Sequence, residues 1–177
     1  MRTLSLFILF SMIFISVSAN AHVQVFEDVR ELSCDGLLDL EIFQGNENKL
    51  ETPSNDLEVS INERALGLFS TNQSSPVKAV LTLKNLEKIT LSGGAKVDID
   101  IMDTERFMIV LEKGLPSLIE GTFLAQDLVT NIYGSAKASL RGIAKAHTLF
   151  APNSGSYLIE DLKTILGLLW VNQWVSV

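Results

Sequence analysis

The chain is poor in the residues that carry most enzyme chemistry. It has one cysteine, Cys34, and two histidines, His22 and His147. A lone cysteine excludes an internal disulfide and a paired-cysteine redox or metal motif; the expected role of Cys34 is a small buried hydrophobe, with an intermolecular disulfide as the alternative. Neither histidine has a second histidine, cysteine or glutamate at ligand spacing, so no metal and no cofactor is expected. A G-x-S-x-G elbow, the usual support for a serine nucleophile, is missing. Basic runs are missing too, and the formal net charge is −7. An acidic chain of this kind is repelled by nucleic acid and by anionic lipid.

Long apolar runs are also missing, with one short exception. Leu4–Val17, LSLFILFSMIFISV, follows the single positive charge of Arg2 and precedes Ala19-Asn20-Ala21, a small-x-small sequence. The run falls short of the ~20 residues needed to span a bilayer. Residues 1–21 therefore read as a secretory signal peptide, with the mature chain starting at His22 or Asn20. Arg2 is the only charged residue in that segment, so the mature part carries 13 basic against 21 acidic residues, a net of −8. No stable membrane span is expected after cleavage. Cys34 lies too far past Ala21 for a lipoprotein attachment. Residues 22–177 are long enough for one domain with its own core.

What is present in quantity is two-residue alternation. Leu38, Leu40 and Ile42 alternate with Asp39 and Glu41; Leu57, Val59 and Ile61 with Glu58 and Ser60; Val97, Ile99 and Ile101 with Asp98 and Asp100. Such segments predict half-buried strands. Gln44-Gly45-Asn46, Pro53-Ser54-Asn55, Asn62-Glu63 and Ser74-Ser75-Pro76 predict the turns between them. No mature segment keeps a helical period with caps, so the fold class is all-β.

After Pro76 the glycines Gly94, Gly114, Gly134 and Gly155 recur in steps of about 20 residues, and Gly121 and Gly142 form a second series. Even spacing of small residues predicts a β-solenoid, a right-handed parallel β-helix-like stack. In it, residues 22–76 form N-terminal strands and residues 77–177 form the repeating coils, with Gly93, Gly94, Gly114, Gly134 and Gly155 as tight corners. The alternative fold is an antiparallel β-sandwich.

The repeated motif I-x-L-S-G-x-A-x-V, following a stretch of the form V-x-V-x-x-G-x-x-x-x-x-L, resembles the bacterial family called the putative auto-transporter adhesin, head GIN domain. The resemblance runs from about Phe26 to Tyr157. Its most specific segment is Val80–Gly93, VLTLKNLEKITLSG, supported by Leu38–Gly45, LDLEIFQG, and by Leu57–Ile61 with Leu66-Gly67-Leu68. It implies an exported β-helix-like domain and brings no catalytic residues with it. The chain departs from the family pattern in its later corners and in its closing segment, LGLLWVNQWVSV.

Three constellations stand out. Gly93–Ile99 touches the calcium nonapeptide pattern, but Lys96 replaces its fourth-position glycine and no second copy follows. Asp98 and Asp100 are candidate outward carboxylates on one strand face, with Asp103 nearby; a solvated face accounts for them unless a third partner appears. Trp170 and Trp174 share a face of a C-terminal strand apolar on both sides; it reads as a strand buried between the stack and another segment, with a candidate interface for a partner or a second copy, or a sugar platform on the tryptophans, as the alternatives. The expected function is an exported, non-enzymatic, adhesin-like or envelope-binding module in the periplasm, at the cell surface or secreted, with a protein or glycan ligand. The alternatives are a carbohydrate-active β-helix enzyme and a subunit of an envelope assembly.

Overall fold

The computed structural model describes residues 22–152 and 156–170. They form twelve β-strands and no helix: β1 (His22–Phe26), β2 (Glu31–Asp35), β3 (Leu38–Gln44), β4 (Asn48–Thr52), β5 (Leu57–Asn62), β6 (Ala65–Ser70), β7 (Val77–Leu83), β8 (Lys88–Leu91), β9 (Lys96–Leu111), β10 (Leu118–Ile132), β11 (Lys137–Phe150) and β12 (Ser156–Trp170). All belong to one sheet.

That sheet is open, curled and mixed, so the right-handed parallel β-solenoid inferred from the glycine spacing is overturned, as is the β-sandwich. β1 with β4, β4 with β7, and β5 with β6 pair antiparallel, while the other ladders are parallel. Antiparallel pairing makes the departure. β5 and β6 form a hairpin at Asn62–Arg64, where Glu63 sits at φ 54°, and β4 runs against both β1 and β7, which are not its neighbours in sequence. The even step fails as well. Lys96 pairs with Leu118, Leu118 with Lys137, and Lys137 with Ser156, so register advances by 22, 19 and 19 residues. The connection Glu112–Ser117 is two residues longer than Tyr133–Ala136 and β9 is one residue longer than β10, which together take up the difference.

The curl is built around β9. Its first residues pair with β3, from Asp39 opposite Lys96 to Ile42 opposite Ile99. Its last residues pair with β8, from Lys88 opposite Met108 to Leu91 opposite Leu111. One long strand thus carries two wings: β1, β4, β7 and β3 on one side of a bend, and β8, β2, β6 and β5 on the other. β10, β11 and β12 follow β9 along its length.

Each wing lines its inner face with a row of buried residues in register, apolar except for Gly121 and Thr130. One row is Leu50, Leu81, Ile42, Ile99, Gly121 and Leu140; the other wing answers with Leu66, Leu32, Ile89, Ile109, Thr130 and Leu149, all buried. Removing such an aliphatic side chain from water contributes ~1.5–3 kcal/mol. Cys34 is fully buried between Leu68 and Leu91, and burial pushes its thiol far above the ordinary range, so it packs as a hydrophobe. Phe107 and Phe123 stack tilted at 5.2 Å inside the bend. The strands predicted over Leu38–Ile42, Leu57–Ile61 and Val97–Ile101 exist, but Ile61 lies exposed on β5 at the sheet's edge.

The bend face, a candidate binding site

At the bend, β9 breaks its alternation. Asp100 is an extra residue opposite β10, since Gly121 faces Ile99 and Thr122 faces Ile101. A bulge of this kind turns the following side chains over to the other face. Ile101, which alternation groups with the buried Val97 and Ile99, is therefore 47% exposed, and Met102 enters the core instead.

The opposite edge of β9 is unpaired where β3 has ended and β8 has not begun. A side chain fills the gap. Gln44 donates from Nε2 to the carbonyl of Asp103 at 2.9 Å and accepts from its N–H at Oε1 at 2.8 Å. One amide group thus replaces a strand residue and extends the ladder past the end of β3. Buried Asn48 acts similarly nearby: it donates to the Glu27 carbonyl at 2.7 Å and accepts from the Lys84 N–H at 2.9 Å. Gln44 thereby pins the open edge of β9, and Asn48 ties the segment after β1 to the one after β7.

The outer face of this region carries an oblique apolar stripe. Phe43 on β3, Ile101 on β9, Leu124 on β10 and Ile143 on β11 are 39, 47, 39 and 50% exposed. Leu124 faces Ile143 directly in register and lies diagonal to Ile101, because it faces Asp103. Two shallow depressions run along the stripe. The larger, about 800 Å³, is lined by Phe43, Gln44, Lys84, Asp100, Ile101 and Asp103 among others; the second, about 570 Å³, by Asp103, Thr104, Glu105, Leu124, Gln126 and Ile143 among others. Asp103 lines both, so the two adjoin, and together they make a groove that reaches across four strands.

Asp98 and Asp100 are exposed on β9, as their alternation predicts. Alternation by itself supplies no partner for them. The register supplies Glu120, directly opposite Asp98, and Arg141, which faces Thr122. These four line a recess of about 160 Å³ beside the larger groove. Glu41 also faces Asp98, so Glu41, Asp98 and Glu120 form a row of carboxylates across three strands. Among the described residues, no three His, Cys, Asp or Glu side chains are arranged to hold a metal.

Of the glycines predicted as corners, Gly93 and Gly94 turn between β8 and β9 at φ 65° and 91°, Gly114 lies between β9 and β10, and Gly134 between β10 and β11. A Cβ on Gly93 would sit 2.2 Å from the Gly36 nitrogen, so that turn admits nothing larger. Gly155 and Trp174 lie outside the described residues. Trp170 closes β12, and its side chain is likewise outside them. His22 is the exposed first residue of β1, paired with Thr52. His147 is buried, its Nε2 3.1 Å from the Thr130 hydroxyl, and burial lowers its pKa.

A family model described as "Putative auto-transporter adhesin, head GIN domain" matches residues 28–165, and the chain belongs to that family. Solved structures share the fold at low identity. A putative adhesin from Bacteroides fragilis NCTC 9343 is 16% identical with a TM-score of 0.71, covering 86% of this chain and 76% of its own. A putative lipid binding protein from Parabacteroides distasonis ATCC 8503 is 13% identical with a TM-score of 0.59, covering 86% and 78%. A putative adhesin from the same organism is 15% identical with a TM-score of 0.58, covering 84% and 76%. No curated protein matches the chain. Among the described residues, no helix is long and apolar enough to cross a membrane.

Proposed function

We propose that the chain is an exported, non-enzymatic, adhesin-like binding module of the cell envelope, and that it binds through the bend face. The observation carrying this reading is the stripe of Phe43, Ile101, Leu124 and Ile143: adjacent apolar side chains held in the open on rigid, hydrogen-bonded strands. Isolated exposed hydrophobes are ordinary, whereas a contiguous patch bordered by polar groups marks an interaction surface. The family description and the signal-like segment 1–21 support an exported location. The test is adhesion of the purified protein to arrayed glycans and extracellular proteins, repeated with Leu124→Ser/Ile143→Ser. Retention lost in the variant supports the reading; retention unchanged contradicts it.

The recess of Asp98, Asp100, Glu120 and Arg141 favours a second reading, a carbohydrate-active enzyme, because it gathers carboxylates and a base. Release of reducing ends from acidic and neutral polysaccharides, abolished by Asp98→Asn, would establish it. A third reading concerns β12, which pairs only with β11 among the described strands. Its other edge would suit an assembly partner or a second copy. Truncation of residues 166–177 should then reduce oligomer size.

A further inference from the structure

The character of the groove narrows its ligand. Its floor is aliphatic apart from Phe43, with Ile101, Leu124 and Ile143 in the open. Sugars stack on flat aromatic faces, and one phenylalanine at the end of an aliphatic stripe is a poor platform for them. The depressions are shallow and open, unlike the enclosed apolar pocket that buries most of a small molecule. Exposed carboxylates border the stripe: Asp100 and Asp103 in the larger depression, Asp103 and Glu105 in the smaller. Beyond Asp100 lies the row of Glu41, Asp98 and Glu120. In parallel neighbours ~4.8 Å apart, like charges repel one another; Arg141 is the one base lining the recess with Asp98, Asp100 and Glu120, so carboxylates outnumber bases there and favour a further cation. Lys84 is the one base lining the two depressions.

Resting on the reading of the bend face as a binding surface, we infer that its ligand is a cationic polypeptide segment in which apolar side chains are interspersed with lysine or arginine. The apolar side chains cover Ile101, Leu124 and Ile143. The flanking cations meet Asp100, Asp103 and Glu105. Charge complementarity steers the encounter and selects against acidic sequences, while the stripe supplies the buried area. An anionic surface of nucleic acid or lipid is disfavoured by the same carboxylates.

The test is calorimetric titration of the protein with a synthetic peptide of alternating leucine and lysine, about a dozen residues long, against its leucine–glutamate twin. The lysine peptide should bind and weaken as salt rises; the glutamate twin should bind at least about tenfold more weakly. Leu124→Ser/Ile143→Ser should reduce affinity for the lysine peptide about tenfold or more, with circular dichroism unchanged. Asp103→Asn/Glu105→Gln should reduce it severalfold and flatten the salt dependence. Equal binding of the two peptides, no binding of either, or indifference to both groove variants overturns the inference. If the peptides fail while the Leu124/Ile143 variant still abolishes adhesion to an arrayed ligand, the ligand class falls and the binding face stands. If adhesion too is indifferent to the groove, both fall.

Discussion

The strands before Lys96 and those after it use the same alternating chemistry to different ends. β1–β8 are four to seven residues long and include every antiparallel pair, whereas β9–β12 run 14 to 16 residues and pair only in parallel. Short strands end at turns and can reverse. A long strand in a curled sheet must bend within itself, and the bend breaks its alternation. The exposed apolar groove arises there, at Ile101 and Leu124, rather than in any loop. The contrast teaches that this molecule puts its accessible chemistry where a strand changes faces.

The strongest way to break the comparison is to deny the long strands their bend. Gly142 has φ 105°, and a Cβ there would sit 2.2 Å from the Phe123 carbonyl oxygen. Gly142→Val should cost about 3 kcal/mol or more, or prevent folding, in urea denaturation. Phe123→Ala, which empties the aromatic pair inside the bend, should cost ~3–5 kcal/mol by the same measurement.

Acid separates the two regions next, because the buried histidine belongs to the long strands. The folded-state pKa of His147 lies below its unfolded value near 6.5. The unfolded chain therefore binds more protons below that pH. The contribution of neutral His147 is complete above about pH 6.5 and is lost progressively as the pH falls below it, until the folded pKa is passed. Thermal midpoints should drop across that window, and His147→Gln should flatten this part of the profile.

Smaller effects sharpen the picture. Gln44→Ala removes both hydrogen bonds that pin Asp103 and should cost ~1–2 kcal/mol, with faster amide exchange confined to the bend. In the short-strand region, Glu63 holds φ 54° without being glycine. Glu63→Gly should leave stability level or raise it by up to about 1 kcal/mol.

Much of the first region was legible from the sequence because its strands end where Gly45, Pro53, Asn62 and Pro76 break the alternation. The all-β class and the outward carboxylates Asp98 and Asp100 follow from the same two-residue period, whereas the burial of Cys34 follows from a lone cysteine's character as a small hydrophobe. The solenoid inference went astray because even glycine spacing reports where turns fall, not which strand pairs with which. Gly114 and Gly134 do mark turns between long strands, and Gly94 the turn into the first of them, yet the register advances unevenly, and a step of 22 rather than 20 is what brings Glu120 to Asp98. The site was hidden for a related reason. Alternation assigned Ile101 to the core along with Val97 and Ile99, and a one-residue bulge at Asp100 reverses that assignment. The only sequence signal of the reversal is the run Ile101-Met102, two apolar residues where the period calls for one.

Hydroxyl-radical footprinting of the protein, free and with a bound partner retained from the arrays or peptides, tests the central claim most directly. Phe43, Ile101, Leu124 and Ile143 should be oxidised readily in the free protein and protected together in the complex, while Val23, Val25 and Ile61 at the sheet's far edges stay reactive. Protection confined to those edges, with the four bend residues as reactive as before, would contradict the bend face as the binding surface.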